Sequence, residues 1–364
     1  MSILLSEEQQ AIATESTRVL EARVDLSRLL ALVETTGEWD KRFWDTAVEQ
    51  GWTAIGIPEA HGGIGLGLIE LGLVAQACGA ATAGAPFLTS GHGAVAALLG
   101  SDDAESRSLW LPRLADGSVT AAVAFAEGQQ PLPASPTTIV CAGKLSGAKD
   151  GIPAGLAADL VLVWAFAGSE PCLGLVEGAH VVRTPIASFD NARLHADLAF
   201  AEVPIRVLAT GDRAHALAHD VLARMAVVSA FEQVGGAEAL MRTARDFALT
   251  RKAFGQPIGA FQSVKHRIAE LYGLVEIARA NCIHAASREG QPDFVEAAAS
   301  ARISATEAYD TAARDCIQIH GGIGVTWESG LHLHMRRARS LAIEQGNMLY
   351  WEDLLAERLT GFAA

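Results

Sequence analysis

The pattern of apolar and polar positions divides the chain into three stretches of different period. In the first, apolar residues recur at helical spacing. LSEEQQAIATESTRVLEARVD opens with Ser6 and, three residues on, Gln9, a capping-box pattern that predicts a helix start. HGGIGLGLIELGLVAQACGAA then runs from a glycine-rich turn into a helix apolar enough to be buried. No parallel-type strand precedes those glycines and no acidic ribose ligand follows them, so a tight turn is expected rather than a nucleotide loop. From about Val119 the runs shorten to VTAAVAFAE, TTIVCAG, ADLVLVWAF, CLGLVEG, HVVRTPI and ADLAFAEVPI, separated by Gly, Pro, Ser and Asp. That spacing predicts an antiparallel barrel or sandwich, with Pro131, Pro133 and Pro136 marking a loop. After about Ala209 helical periodicity returns in long segments that predict a bundle.

The expected fold is therefore α+β and multidomain: an N-terminal helical domain (1–118), a middle antiparallel β domain (119–210) and a C-terminal four-helix bundle (211–364). Composition supports a globular chain, with 364 residues and 50% hydrophobic positions. A formal charge of −14 repels phosphate backbones and anionic membrane surfaces, which excludes nucleic acid as an expected partner. Five cysteines without CxxC spacing read as core thiols in a reducing compartment. No signal segment and no apolar run of about 20 residues is found, so a cytoplasmic location is expected and no membrane partner.

Two motifs carry chemistry. RKAFGQPIGAFQSVKHRIAEL offers Arg251, a permanently charged planar fork suited to a pyrophosphate, with the aromatic face of Phe254 and the amide of Gln262. IQIHGGIGVTWESGLHLHMRRAR offers the amide of Gln318, and Gly321 and Gly322, where backbone can approach a dinucleotide without a Cβ. His320 between them reads as a packing residue. His332 and His334, two apart, do not share a helix face, so HLHMRRAR reads as a solvated helix or a source of inter-subunit salt bridges, and no metal site is expected.

With the segment GWTAIGIPEAHGGIGLGLIELGLVAQACG, these motifs make the whole chain resemble the acyl-CoA dehydrogenase family. The resemblance implies an FAD-dependent oxidation of an acyl-CoA thioester to the 2,3-enoyl-CoA, with electrons passing to an electron-transferring flavoprotein. It also implies that Arg251, Phe254 and Gln262 reach a partner subunit's FAD, and that Gln318, Gly321 and Gly322 hold the adenosine diphosphate half of the same flavin.

The chain departs from the family where the flavin ring and the base belong. Ala126 stands where a threonine hydroxyl is expected, with no Gly-Ser-Asp after it. Gly147 and Lys149 match the Gly-x-Lys turn, but Gly151 and Pro153 replace the aromatic and hydroxyl residues that touch the ring. In AIEQGN the base position falls on Gln345, an amide that accepts no proton at neutral pH, with Glu344 one residue out of register. The alternative base position, on the helix before RKAFG, is Met225, beside Arg224. No catalytic residue is therefore assigned to this chain. The reading that follows is a subunit lacking the base, in a two-chain, α2β2 acyl-CoA dehydrogenase for bulky, steroid-like thioesters. Three others compete: a self-sufficient homomer with Glu344 as base, a catalytically silent interaction subunit, and a flavin monooxygenase or oxidase on this fold.

Overall fold

The computed structural model describes residues 5–361. Helix α1 (Glu7–Arg23) starts at Ser6, whose hydroxyl accepts the Gln9 N–H while the Gln9 side chain accepts that of Ser6, so the expected capping box is present. α2 (Leu26–Val33), α3 (Lys41–Glu49), α4 (Leu68–Ala80), α5 (Phe87–Gly100) and α6 (Ala104–Ala115) complete the first helical region. As its apolar run implies, α4 is buried over most of its surface.

Eight strands follow: β1 (Ala121–Ala124), β2 (Ile139–Cys141), β3 (Lys144–Ile152), β4 (Leu160–Ala167), β5 (Glu170–Glu177), β6 (Val182–Pro185), β7 (Ala196–Pro204) and β8 (Arg206–Thr210). They form one sheet in the order β6-β7-β3-β2-β4-β5-β8, with β1 beside β4. The expected antiparallel barrel or sandwich is found as a single mixed sheet, antiparallel except where β1 and β2 meet β4. β4 pairs in parallel with β1 over Leu160–Val163 and with β2 at Phe166 and Ala167. β1 and β2 thus follow one another along the same edge of β4, as a single line of strand broken by the proline-rich loop. Proline donates nothing to a ladder, so the chain leaves the sheet there and rejoins it further along in the same direction. Alternation of apolar residues signals a strand without signalling its direction. Both faces of the sheet are covered: Leu160, Leu162 and Trp164 of β4 pack toward α5 and the following helix, while Val161, Val163 and Ala165 face the opposite core.

The remaining chain is helical apart from a small hairpin, β9 (Lys252–Ala253) with β10 (Gln256–Pro257). α7 (Gly211–Thr250), α8 (Gln262–Ser287) and α9 (Phe294–His320) pack on one another, and α10 (Leu331–Leu341) and α11 (Met348–Thr360) lie against α9. α7 is the spine of the molecule, since it also carries α4, α5 and the sheet.

The α4–α7 crossing is closer than side chains would allow. A Cβ on Gly235 would lie 1.8 Å from the Gln76 carbonyl oxygen, and one on Gly79 would lie 1.8 Å from that of Glu232. The two glycines face each other's backbone, so the separation of the helices is set by main chain. Gly235→Ala should force α4 and α7 apart and cost roughly 1–3 kcal/mol or more, as overpacking does. Urea denaturation of the variant measures it, and unchanged stability would show that the crossing has slack.

Candidate active site

A cleft of about 410 Å³ opens between the sheet and the helical bundle. Its sheet-side wall carries Ala126, Gly151 and Pro153, and its helical wall carries Met225 and the turn Glu344-Gln345-Gly346. The structure therefore gathers into one cavity the positions at which the sequence departs from the family, from four separate segments.

The sheet-side wall is held by a buried ion pair. Lys149 is fully buried; its Nζ donates to the Phe125 carbonyl (3.2 Å) and to Glu127 Oε1 (2.7 Å). Burial pushes the Lys149 ammonium down to about 8. Burial acts to raise the Glu127 carboxyl, but the hydrogen bond from Lys149 and the Thr137 and Thr138 donors outweigh it and hold it at about 2. With the Ala126 carbonyl accepting from Asp150 N–H (3.3 Å), this pins the proline-rich loop over the end of β3. The backbone of this wall is thus held in place, whereas the side chains at the three positions are a methyl group, a hydrogen and a proline ring. None of these side chains donates a hydrogen bond, so the side-chain ring contacts that the resemblance implies are not supplied by this wall.

On the helical wall, Ala342–Asn347 is a tight turn between α10 and α11 rather than a continuing helix. Gln345 adopts φ +55°, a left-handed conformation that costs a side-chain-bearing residue about 1–2 kcal/mol. The surroundings over-determine it. The Arg302 guanidinium, itself buried, donates to the carbonyls of Leu341 and Glu344 and to Gln233 Oε1. Gln345 faces the cleft with its amide oxygen accepting from the Ser229 hydroxyl at 2.9 Å.

Glu344, one residue earlier, is turned into the protein and only 4% exposed. Its two oxygens accept from Arg193 Nε (2.9 Å) and Nη2 (2.6 Å), a bidentate pair, and Oε1 lies 3.3 Å from His195 Nε2. Burial alone would raise this carboxyl, but the charge and hydrogen bonds of Arg193 outweigh it and hold it well below the usual carboxylate range. A carboxylate so stabilised is a poor proton acceptor. The other carboxylate on the cleft, Asp150, is exposed and sits on the sheet-side wall, where its Oδ2 accepts from Gly128 N–H.

Arg193 belongs to a larger buried set that sequence reasoning missed. It also meets Glu232 of α7 (3.3 Å), and Arg337 of α10 meets both Glu232 (2.7 Å) and Asp190. The expectation of a solvated HLHMRRAR helix is corrected here: Arg337 and His334 face inward, the latter against the Tyr309 hydroxyl (2.9 Å), and only Arg336 and Arg339 make outer ion pairs. His332 stacks on Trp327, and no group of three metal-ligating side chains occurs among the described residues. Arg224 is engaged by Asp220 and Glu289. Of the cysteines, Cys78, Cys172, Cys282 and Cys316 are buried as expected, and Cys141 is exposed.

The six residues expected to hold the adenosine end of a flavin lie away from the cleft and are exposed on the single chain: Arg251, Phe254, Gln262, Gln318, Gly321 and Gly322. Phe254, at φ +50° in the β9–β10 hairpin, is 96% exposed. The two motifs meet, because Phe247 of the last turns of α7 stacks on His320 at the end of α9 (4.1 Å between ring centroids). His320 is thereby a packing residue, as its glycine neighbours suggested.

Comparison with known proteins agrees with this architecture. The model for the acyl-CoA dehydrogenase N-terminal domain matches residues 6–118, and that for the C-terminal domain matches residues 215–360. Acyl-CoA dehydrogenase IpdE2 of Mycobacterium tuberculosis is 29% identical over 338 residues, which cover 92% of each chain. A variant of the Tcur3481-Tcur3483 steroid ACAD superposes with a TM-score of 0.87 at 25% identity over 98% of both chains. The ChsE4-ChsE5 complex from Mycobacterium tuberculosis shares the fold, with a TM-score of 0.90 at 22% identity over 100% of both chains.

The Arg193–Glu344 pair predicts an acid sensitivity with a definite sign. In the unfolded chain Glu344 titrates near 4.5, and in the folded chain lower. Its contribution is therefore complete above about pH 4.5 and is lost as pH falls below that value. Glu344→Gln should cost roughly 3–5 kcal/mol at pH 7, by leaving a buried arginine charge under-compensated, and less at pH 3.5. Denaturant titrations at the two pH values test this; an equal loss at both would place the pair in solvent.

Proposed function

The chain belongs to the acyl-CoA dehydrogenase family, and we propose that it is the base-lacking subunit of a two-chain enzyme of that family. FAD is the cofactor that the family brings, and the activity is the oxidation of an acyl-CoA thioester. When bound, FAD would supply the acceptor for a hydride from the β-carbon, and the α-proton would have to go to a protein base. In the proposed assembly Arg251, Phe254, Gln262, Gln318, Gly321 and Gly322 close over the adenosine end of a flavin whose ring and base belong to an unlike partner chain. Their exposure on the single chain supports a shared site, because a second subunit could cover all six at once. An α2β2 assembly, an electron-transferring flavoprotein as acceptor, a cytoplasmic location and thioesters with a bulky, steroid-like tail complete the proposal.

One observation carries this reading: at the base position the cleft presents the Gln345 amide, bonded to Ser229, and the adjacent carboxylate is committed to Arg193. The same observation counts against a self-sufficient enzyme that uses Glu344 as base.

The lone chain should purify with little flavin, and co-expression with candidate partner chains should yield about one FAD per pair of unlike chains, read from visible absorption and native mass. One flavin per chain in the lone protein would overturn the proposal. Within an active complex, Glu344→Gln should leave the pH profile of kcat unchanged at temperatures where the complex stays folded. Loss of its acidic limb would instead make Glu344 the base.

A further inference from the structure

Outside the cleft and the buried charged set, two imidazoles lie against each other on α7. His215 and His219 are four residues apart, so they share one face of the helix. Their ring centroids are 4.6 Å apart, with the planes tilted by 56°. His215 is exposed and His219 is half-buried. Neither makes a hydrogen bond among the described residues, and no nitrogen of His219 is one of the enclosed, unpartnered polar atoms of the interior. The buried Trp164 ring, 6.3 Å from that of His215, backs the pair from the sheet side. Burial, and then the neighbouring imidazole and the Arg358 charge, push His219 down to about 4, so it is neutral near pH 7 and keeps a lone pair for a ligand.

The charges around the pair do not exclude a cation. Arg358 of α11, whose charge reaches His219, is itself paired with Glu296 of α9 (3.5 Å). Asp212, three residues before His215 and so on the same face, is exposed and has no ion pair among the described residues. It adds a negative charge to the stripe that carries the two imidazoles. Histidines at this spacing are how helical zinc motifs bring two imidazoles onto one ion. Magnesium and calcium take oxygen ligands and gain nothing from such a pair. Copper(II) stands highest among the divalent first-row ions for nitrogen ligands and accepts a square arrangement that water completes. Two side chains do not fill a coordination sphere, so the pair is an open chelate rather than a closed structural centre, in keeping with the absence of any three-residue group among the described residues.

We infer that His215 and His219 form a two-imidazole chelate on α7 for a borderline divalent transition-metal ion, copper(II) ahead of zinc(II). Copper(II) titrated calorimetrically into the full-length chain measures the affinity, and electron paramagnetic resonance of the tightest equivalent reads its nitrogen ligands. The wild-type chain should show the splitting of two imidazoles. His215→Ala and His219→Ala should each weaken that equivalent by about tenfold or more, because a chelate that loses one donor loses the high effective concentration of the other. His180→Ala, at an exposed histidine outside the pair, should leave it unchanged. His215 is exposed, so its variant carries the test alone if His219→Ala does not fold. No binding, zinc(II) bound more tightly than copper(II), a spectrum of one imidazole, or equal affinity in the wild-type chain and His215→Ala, which is an adventitious ion only, would each overturn the assignment. None of these outcomes alters the flavin count on co-expression, so the subunit proposal stands or falls separately.

Discussion

The arrangement depends on a buried, charge-balanced set of six side chains: Arg193, Arg302 and Arg337 against Asp190, Glu232 and Glu344. They come from the loop before β7, from α7, α9 and α10, and from the turn that follows α10. Each charge lies inside protein, where an unpaired ion costs several kcal/mol, so the elements must meet in one register for the set to balance. The sheet is thereby fixed to the bundle by named pairs as well as by packing. The energy of such a set relative to apolar side chains of the same volume is near zero, and what it contributes is placement. The backbone contact of α4 with α7 at Gly79 and Gly235 adds a second fixed distance beside Glu232.

The same interaction determines what the cleft can do. A general base needs a carboxylate whose neighbours leave its lone pairs available near the working pH. Glu344 instead has both oxygens directed at Arg193, and Arg302 fixes the carbonyl of the same residue. To act as base it would have to leave Arg193 under-compensated and undo a turn in which Gln345 is already left-handed. The pairing and the catalytic role are mutually exclusive for this carboxylate. A turn held from both sides can, however, present its neighbour Gln345 and the imidazole of His195 at fixed positions.

Much of this was legible in the sequence, and the exceptions have physical causes. Helix starts and strand runs could be read because capping at Ser6 and alternation in β4 are local properties. The parallel pairing of β4 with β1 and β2 was hidden because alternation is identical in both directions. Ala126, Gly151, Pro153 and Gln345 were recognised as missing functional groups by their place in motifs, and the fold brings them to one cavity. The charged set escaped because its members lie far apart in the chain, and arginine is usually a surface residue. A trace was nevertheless present: Glu232 is the one charged residue in VVSAFEQVGG, a largely apolar stretch of a long helix, and an acid buried in such a place requires a partner.

The exposed motif residues have the opposite logic. Phe254 at 96% exposure and Val325 at 76% are more open than an isolated soluble chain gains anything from. Phe254 also holds a left-handed backbone at the turn of a hairpin whose two strands are two residues each, with its ring edge-on to Phe261 at 6.2 Å between centroids. Strain and exposure at one side chain are tolerated when an external surface recovers the cost. The Phe247–His320 stack brings this hairpin and the Gln318–Gly322 loop to one end of the bundle, so one covering surface would engage both. The interior between sheet and bundle is thus closed by charges that pair with one another, while this end presents exposed groups that a covering surface would bury. That asymmetry supports the proposal that the chain contributes half of a shared site.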